Sequence, residues 1–284
     1  MMGLSLRGRL GRAHEALQII ASQPRDLPLV LSLRDVRYVV PTEIVNLCLV
    51  LEVVERMGFP EIRLEPPAPS FLCMFLWRIG FYDLFPHFRP SPPKRPFQAQ
   101  QTTTLIEVRR FNDTAGILDL GERLPHVLTA ASGGDNVPGG ARTLRRIAAT
   151  VYELAENVLA HSRRLSGGPI SGYYMVQRMP NQHRTFIAVG DAGDGIPATI
   201  RATFRDLPDD LTALREALRP GVSSDGGGGN GLDLARRAAH EIPGGVMTIE
   251  SGAAWLRVRA NETEEAKLYP DAAHLTRVSF MFPI

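Results

Sequence analysis

Cysteine is scarce: Cys48 and Cys73 are the only two in 284 residues, and both sit in apolar stretches. A disulfide framework and a Cys-x-x-Cys metal or redox motif are therefore excluded. No paired-histidine zinc motif and no Gly-x-Ser-x-Gly elbow occurs either. No apolar run reaches the roughly 20 residues that a membrane helix needs. The closest, Ile44 to Val54, is short and carries Glu52. A charge excess of one sign is also missing, with a formal net charge of +2. Nothing electrostatic therefore calls for nucleic acid or an anionic membrane as the main partner. The first dozen residues hold Arg7, Arg9 and Arg12 without an apolar core, so a basic helix is expected there rather than a secretory signal. Reduced thiols and the lack of an export signal point to the cytoplasm.

What is present is an ordinary globular composition, 44% hydrophobic and 22% charged. The length exceeds the size at which one core stops growing, so two domains are expected. The seam falls at Pro86 to Pro96, where closely spaced prolines disfavour helix and central strand. The expected units are residues 1–90 and 98–284. In the first, Leu29–Leu33 and Glu61–Glu65 read as strands, with Thr42–Met57 and Ser70–Phe85 as helices. That alternation predicts a parallel sheet with helices packed on it. In the second, strands at Thr103–Arg109, Ser171–Gln177, Arg184–Val189, Val246–Ser251, Trp255–Ala260 and Arg277–Phe282 group apart from helices at Ala115–Ala131, Thr143–Ser162 and Leu232–His240. A two-layer α/β sandwich, a sheet covered by helices on one face, is expected.

Three segments carry chemistry. On the long helix, Glu153, Asn157 and His161 recur every fourth residue, within an arc of about 80° on a face away from the apolar stripe. Such spacing alone more often makes a solvated face. Directly after a strand comes Gly190-Asp191-Ala-Gly193-Asp-Gly195. Its glycines let backbone approach a flat ligand, and its carboxylate can accept a hydrogen bond from an exocyclic amine. A tight turn is the plain alternative. The third segment, Gly226 to Gly229-Asn-Gly231-Leu232, opens a helix, and exposed N–H groups at a helix start make a phosphate cradle. A dinucleotide fingerprint is excluded because no strand precedes it, and a P-loop because Leu232 stands where Lys-Ser/Thr should follow.

In that order the three boxes resemble the ATP-binding domain of the gyrase, heat-shock chaperone, histidine kinase and MutL (GHKL, Bergerat-fold) superfamily, over roughly residues 100 to 284. The resemblance implies that Asp191 bonds the adenine amine and that Gly193 and Gly195 shape the adenine wall. It also implies that Asn157 binds Mg²⁺, that Gly229, Gly231 and Leu232 cover the phosphates and that His161 lies near them. Thr276 would sit beneath the adenine, although Leu275 replaces the glycine usual before it. Glu153 is implied as general base; sensor histidine kinases usually carry Asn there, whereas hydrolysing members and anti-sigma-factor serine kinases carry Glu. The lysine that gyrase and MutL types bring from a further domain has no counterpart, so the serine-kinase type fits best.

In the first half, Arg34 to Ile44 and Leu76 to Leu84 resemble the STAS (anti-anti-sigma) fold. Where a STAS regulator carries its phosphorylatable serine this chain has Pro41, with Thr42 beside it. The combined expectation is an ATP- and Mg²⁺-dependent regulator, a slow ATPase or serine/threonine kinase, with a protein partner docking on the STAS-like half. A non-catalytic ATP-gated interaction module is the alternative, and a homodimer is possible in either case.

Overall fold

In the first half, short apolar runs become a small parallel sheet. The computed structural model describes residues 2–6, 10, 13–91, 104–131, 140–161, 171–179, 182–222, 231–261 and 263–283. Strands β1 (Met2–Ser5), β2 (Leu29–Ser32) and β3 (Ile62–Glu65) pair in the order β1-β2-β3. Parallel neighbours need crossovers, here α1 (Ala13–Ala21) and α2 (Pro41–Arg56). The basic N-terminal helix expected from sequence is instead β1, paired from Met2 to Ser5 with Leu29 to Ser32. This long-range pairing overrides local composition. Pro41 stands at the first helical position of α2, where its fixed φ is favourable. The Glu43 carboxylate accepts the Val40 N–H at 2.9 Å.

The run from Ser70 to Phe85, expected as one helix, is two: α3 (Ser70–Arg78) and α4 (Phe81–Leu84). The break is Gly80, at φ +74°, a left-handed conformation that ends helices and that glycine adopts without a Cβ penalty. The proline-rich seam begins as a 3-10 turn, Pro86–Phe88, and Phe85 and Phe88 are buried. An extended linker therefore cannot begin as early as Pro86. From residue 92 the seam lies outside the described residues.

The second half is an antiparallel five-stranded sheet in the order β4-β5-β6-β8-β7. Its strands are β4 (Thr104–Phe111), β5 (Gly172–Met179), β6 (Arg184–Asp191), β7 (Val246–Arg259) and β8 (Glu264–Pro283). The accompanying helices are α5 (Thr114–Ala131), α6 (Gly140–His161), α7 (Ile196–Arg201), α8 (Asp210–Ala217) and α9 (Gly231–Glu241). Val246–Ser251 and Trp255–Ala260, expected as separate strands, fall on one strand that passes through irregular pairing at Ser251–Ala254. One sheet face buries Ile187, Val189, Val278 and Ile249 with Leu144, Ile147 and Val151 of α6 and Ala235 of α9. The fold is mixed α/β, as expected.

The opposite face is also covered, by α2 from the first half. Leu31, Val45, Leu49, Tyr173, Met175 and Ala188 belong to one buried cluster. A Cβ added at Gly190 would lie 2.9 Å from Leu49 Cδ1 and 3.2 Å from Val45 Cγ1, so glycine is what lets α2 approach β6. Burial nearly all round α2 is what a helix at such a seam requires.

Polar contacts fix the same seam. The Glu52 carboxylate, 5% exposed, accepts from the Tyr173 hydroxyl, from Arg56, from Arg110 at 3.3 Å and from the Ser171 N–H at 3.4 Å. Burial, first, and the neighbouring carboxylate push the Tyr173 phenol well above its ordinary range. At the other end of the seam, Arg277 and Glu250 form a buried ion pair at 2.9 Å. Glu250 also accepts the His14 N–H at 3.3 Å, and the His14 ring stacks on Tyr269 with centroids 4.5 Å apart.

Candidate functional site

The antiparallel register sets the chemistry-bearing residues in a row. Asp191 pairs with Gly172 on one side and Thr276 on the other, and Thr276 pairs with Ser251. The next rows on the same face are apolar: Tyr174, Val189, Val278 and Ile249, then Val176, Ile187, Phe280 and Met247. Alternation along a strand therefore puts Asp191, Thr276 and Ser251 on the face covered by α6 and α9, at its polar edge.

Asp191 is 6% exposed, and its Oδ1 accepts the Gly193 N–H at 2.8 Å. Burial raises its carboxyl to about 7. The Gly193 bond pulls the other way, while nearby Asp194 and Glu52 push further up. Among the described residues the buried Asp194 Oδ2 has no hydrogen-bond partner. A donor at Asp191, such as an N–H, would stabilise its charged form.

Gly195 takes φ +88°, and a Cβ there would meet Ser251 Oγ at 3.0 Å and the Gly252 N at 3.2 Å. The Asp-glycine turn thus lies directly on the β7–β8 row. Ser251 Oγ accepts the Ile196 N–H at 2.8 Å and lies 2.9 Å from Thr276 Oγ1. Sequence reading missed Ser251 and Asp210. Asp210 accepts the Ala253 N–H at 2.7 Å and pairs with Arg201, which holds α7 and α8 to the bend in β7. The available signal was Ser251-Gly252 inside an otherwise strand-like run.

The second group forms where α9 begins. A Cβ on Gly231 would lie 3.1 Å from Asn157 Nδ2, 3.3 Å from Glu153 Cβ and 3.7 Å from Glu153 Oε2. The glycine that opens α9 is therefore seated on the Glu153–Asn157 face of α6, and both of those residues are half-buried. Leu232 packs against the helix-side core. Asp233, in the first turn of α9, is buried and paired with Arg236 at 3.2 Å and Arg237 at 2.8 Å. His161 is the last residue of α6, with its side chain outside the described residues, and Gly229 lies outside them altogether.

Among the described residues no group of three or more His, Cys, Asp or Glu side chains could hold a metal. Among the described residues no helix is long and apolar enough to cross a membrane. No protein-family model and no curated protein matches the chain.

Proposed function

We propose that the chain is an ATP- and Mg²⁺-binding regulator of the GHKL kind, acting as a slow ATPase or a serine/threonine kinase of the anti-sigma-factor type. The observation that carries this reading is the seating of Gly231 on Asn157 and Glu153. Two boxes more than 70 residues apart in sequence come into contact, which supports a shared phosphate end. The buried Asp191 in the row with Thr276 supports an adenine end.

In this reading the Asp191 carboxylate accepts the adenine amine, and Gly193 and Gly195 leave room for the ring. Backbone N–H groups at the start of α9 face the phosphates, favoured by the helix dipole. Asn157 Oδ1 would hold Mg²⁺, which when bound would neutralise phosphate charge. Glu153 would take the proton of the attacking water or hydroxyl. The STAS-like half would serve as a docking platform for a protein partner.

One observation favours the ATP-gated module instead. Pro41 occupies the expected phosphosite, and Thr42 beside it is half-buried in the first turn of α2, so the chain offers no ready substrate of its own. Incubation with γ-labelled ATP separates the readings. Free phosphate identifies an ATPase, label on an added protein a kinase, and retained unhydrolysed ATP a binding module. Absence of bound nucleotide in every arm would reject all three.

A further inference from the structure

Ser251 plays no part in the proposed chemistry, yet it joins the Asp-glycine turn to Thr276. It is fully buried. Its Oγ accepts the Ile196 N–H, at the start of α7, at 2.8 Å. A serine hydroxyl has one proton to give. Two acceptors stand within reach of it, Thr276 Oγ1 at 2.9 Å and the Leu275 carbonyl oxygen at 3.4 Å. Only the first lies in the ordinary O–H···O range of about 2.5–3.0 Å, so the Ser251 proton goes to Thr276.

The consequence falls on Thr276, which is half-buried and directly opposite Asp191 across the β6–β8 pairing. Ser251 is the only hydrogen-bond partner of its hydroxyl among the described residues. Threonine in a strand has staggered side-chain positions to choose from, and the Ser251 contact selects the one seen here. Leu275, buried in the cluster that includes α2, pins the strand just before it. With its oxygen accepting from Ser251, the Thr276 hydroxyl keeps its own proton for another acceptor. The row thus sets a donor, Thr276, beside an acceptor, Asp191. The pairing edge of adenine carries the complement, an acceptor N1 beside a donor amine.

We propose that Ser251 is a positioning residue for base recognition, holding the Thr276 hydroxyl as a donor to N1 of adenine while Asp191 accepts from the amine. The inference rests on the nucleotide reading and adds to it the residue that sets Thr276.

The test compares ATP with 1-deaza-ATP, in which a C–H replaces N1, by calorimetric titration into the full chain with Mg²⁺. The wild type should prefer ATP about tenfold, the worth of one hydrogen bond. In Ser251→Ala the Thr276 side chain regains about three staggered positions, so the preference should fall about threefold. In Thr276→Val it should vanish, and adding Ser251→Ala to that variant should change it no further. Ser251→Cys, nearly isosteric but a weak donor, should lower it as well. Loosening of the turn at Ile196 weakens both nucleotides alike, so the ratio of affinities isolates the hydroxyl pair. An unchanged ratio in Ser251→Ala and Ser251→Cys, with ATP still bound by the wild type, would overturn this inference alone. A wild type that binds neither nucleotide would overturn the nucleotide reading, and the inference with it.

Discussion

Asp191→Asn should make the empty protein more stable and the nucleotide weaker, and both effects follow from one buried carboxyl. In the folded chain this group titrates near 7 rather than at its ordinary 3.8. The folded state therefore holds the proton more tightly than the unfolded state does. Stability falls as pH rises from about 4 to about 7 and is level above that. Each decade of proton affinity is worth roughly 1.4 kcal/mol, so the charged carboxylate costs the fold on the order of 4 kcal/mol at pH 8. At pH 5 most of that cost is absent. Asparagine cannot ionise, and its single carbonyl oxygen can still accept the Gly193 N–H. Urea denaturation of the wild type and the variant should thus show a gain that is larger at pH 8 than at pH 5, by about 2–3 kcal/mol. With that oxygen engaged by Gly193, the variant would, in the proposed reading, turn an –NH₂ towards the adenine amine. ATP affinity should fall about ten- to a hundredfold. The wild-type advantage in affinity should itself shrink below pH 7, as the carboxyl takes up its proton. A variant with the same stability difference at both pH values would refute the burial argument.

Other substitutions test neighbouring contacts. Glu153→Gln should slow any turnover by about 10²–10⁴-fold with ATP binding nearly intact, measured by phosphate release. Gly190→Ala places a Cβ 2.8 Å from the Thr276 carbonyl oxygen, and thermal unfolding should register a loss of about 1–3 kcal/mol. Glu52→Ala strips the acceptor from Tyr173 and Arg110 and should cost about 3–5 kcal/mol by urea titration. Because the halves share a core, cleavage between residues 92 and 98 should give two fragments that co-elute on gel filtration. Fragments that separate would show the seam to be weaker than its packing implies.

Much of this was legible in sequence wherever a signal was local and periodic. The α6 stripe, the strand ending at Asp191 and the glycine opening α9 each announced themselves, because apolar spacing and glycine placement are local properties. The first four-residue strand did not, since it exists only through pairing with β2. Glu52 looked like a charge interrupting an apolar helix. Its purpose is visible only once Tyr173 and Arg110, more than 50 residues away, are brought against it. Ser251 needed the register of three strands before its place beside Thr276 could be seen. The covered second face of the large sheet was hidden for a related reason. A helix buried on nearly all sides carries no amphipathic signal to say which sheet it serves.

Calorimetric titration of ATP into the full chain, with Mg²⁺ and again with excess EDTA, tests the central claim most directly. One saturable site is expected with Mg²⁺, and it should weaken strongly in EDTA and in Asn157→Ala. No heat of binding with Mg²⁺, or binding of equal strength in Asn157→Ala, would contradict a nucleotide site between α6 and α9.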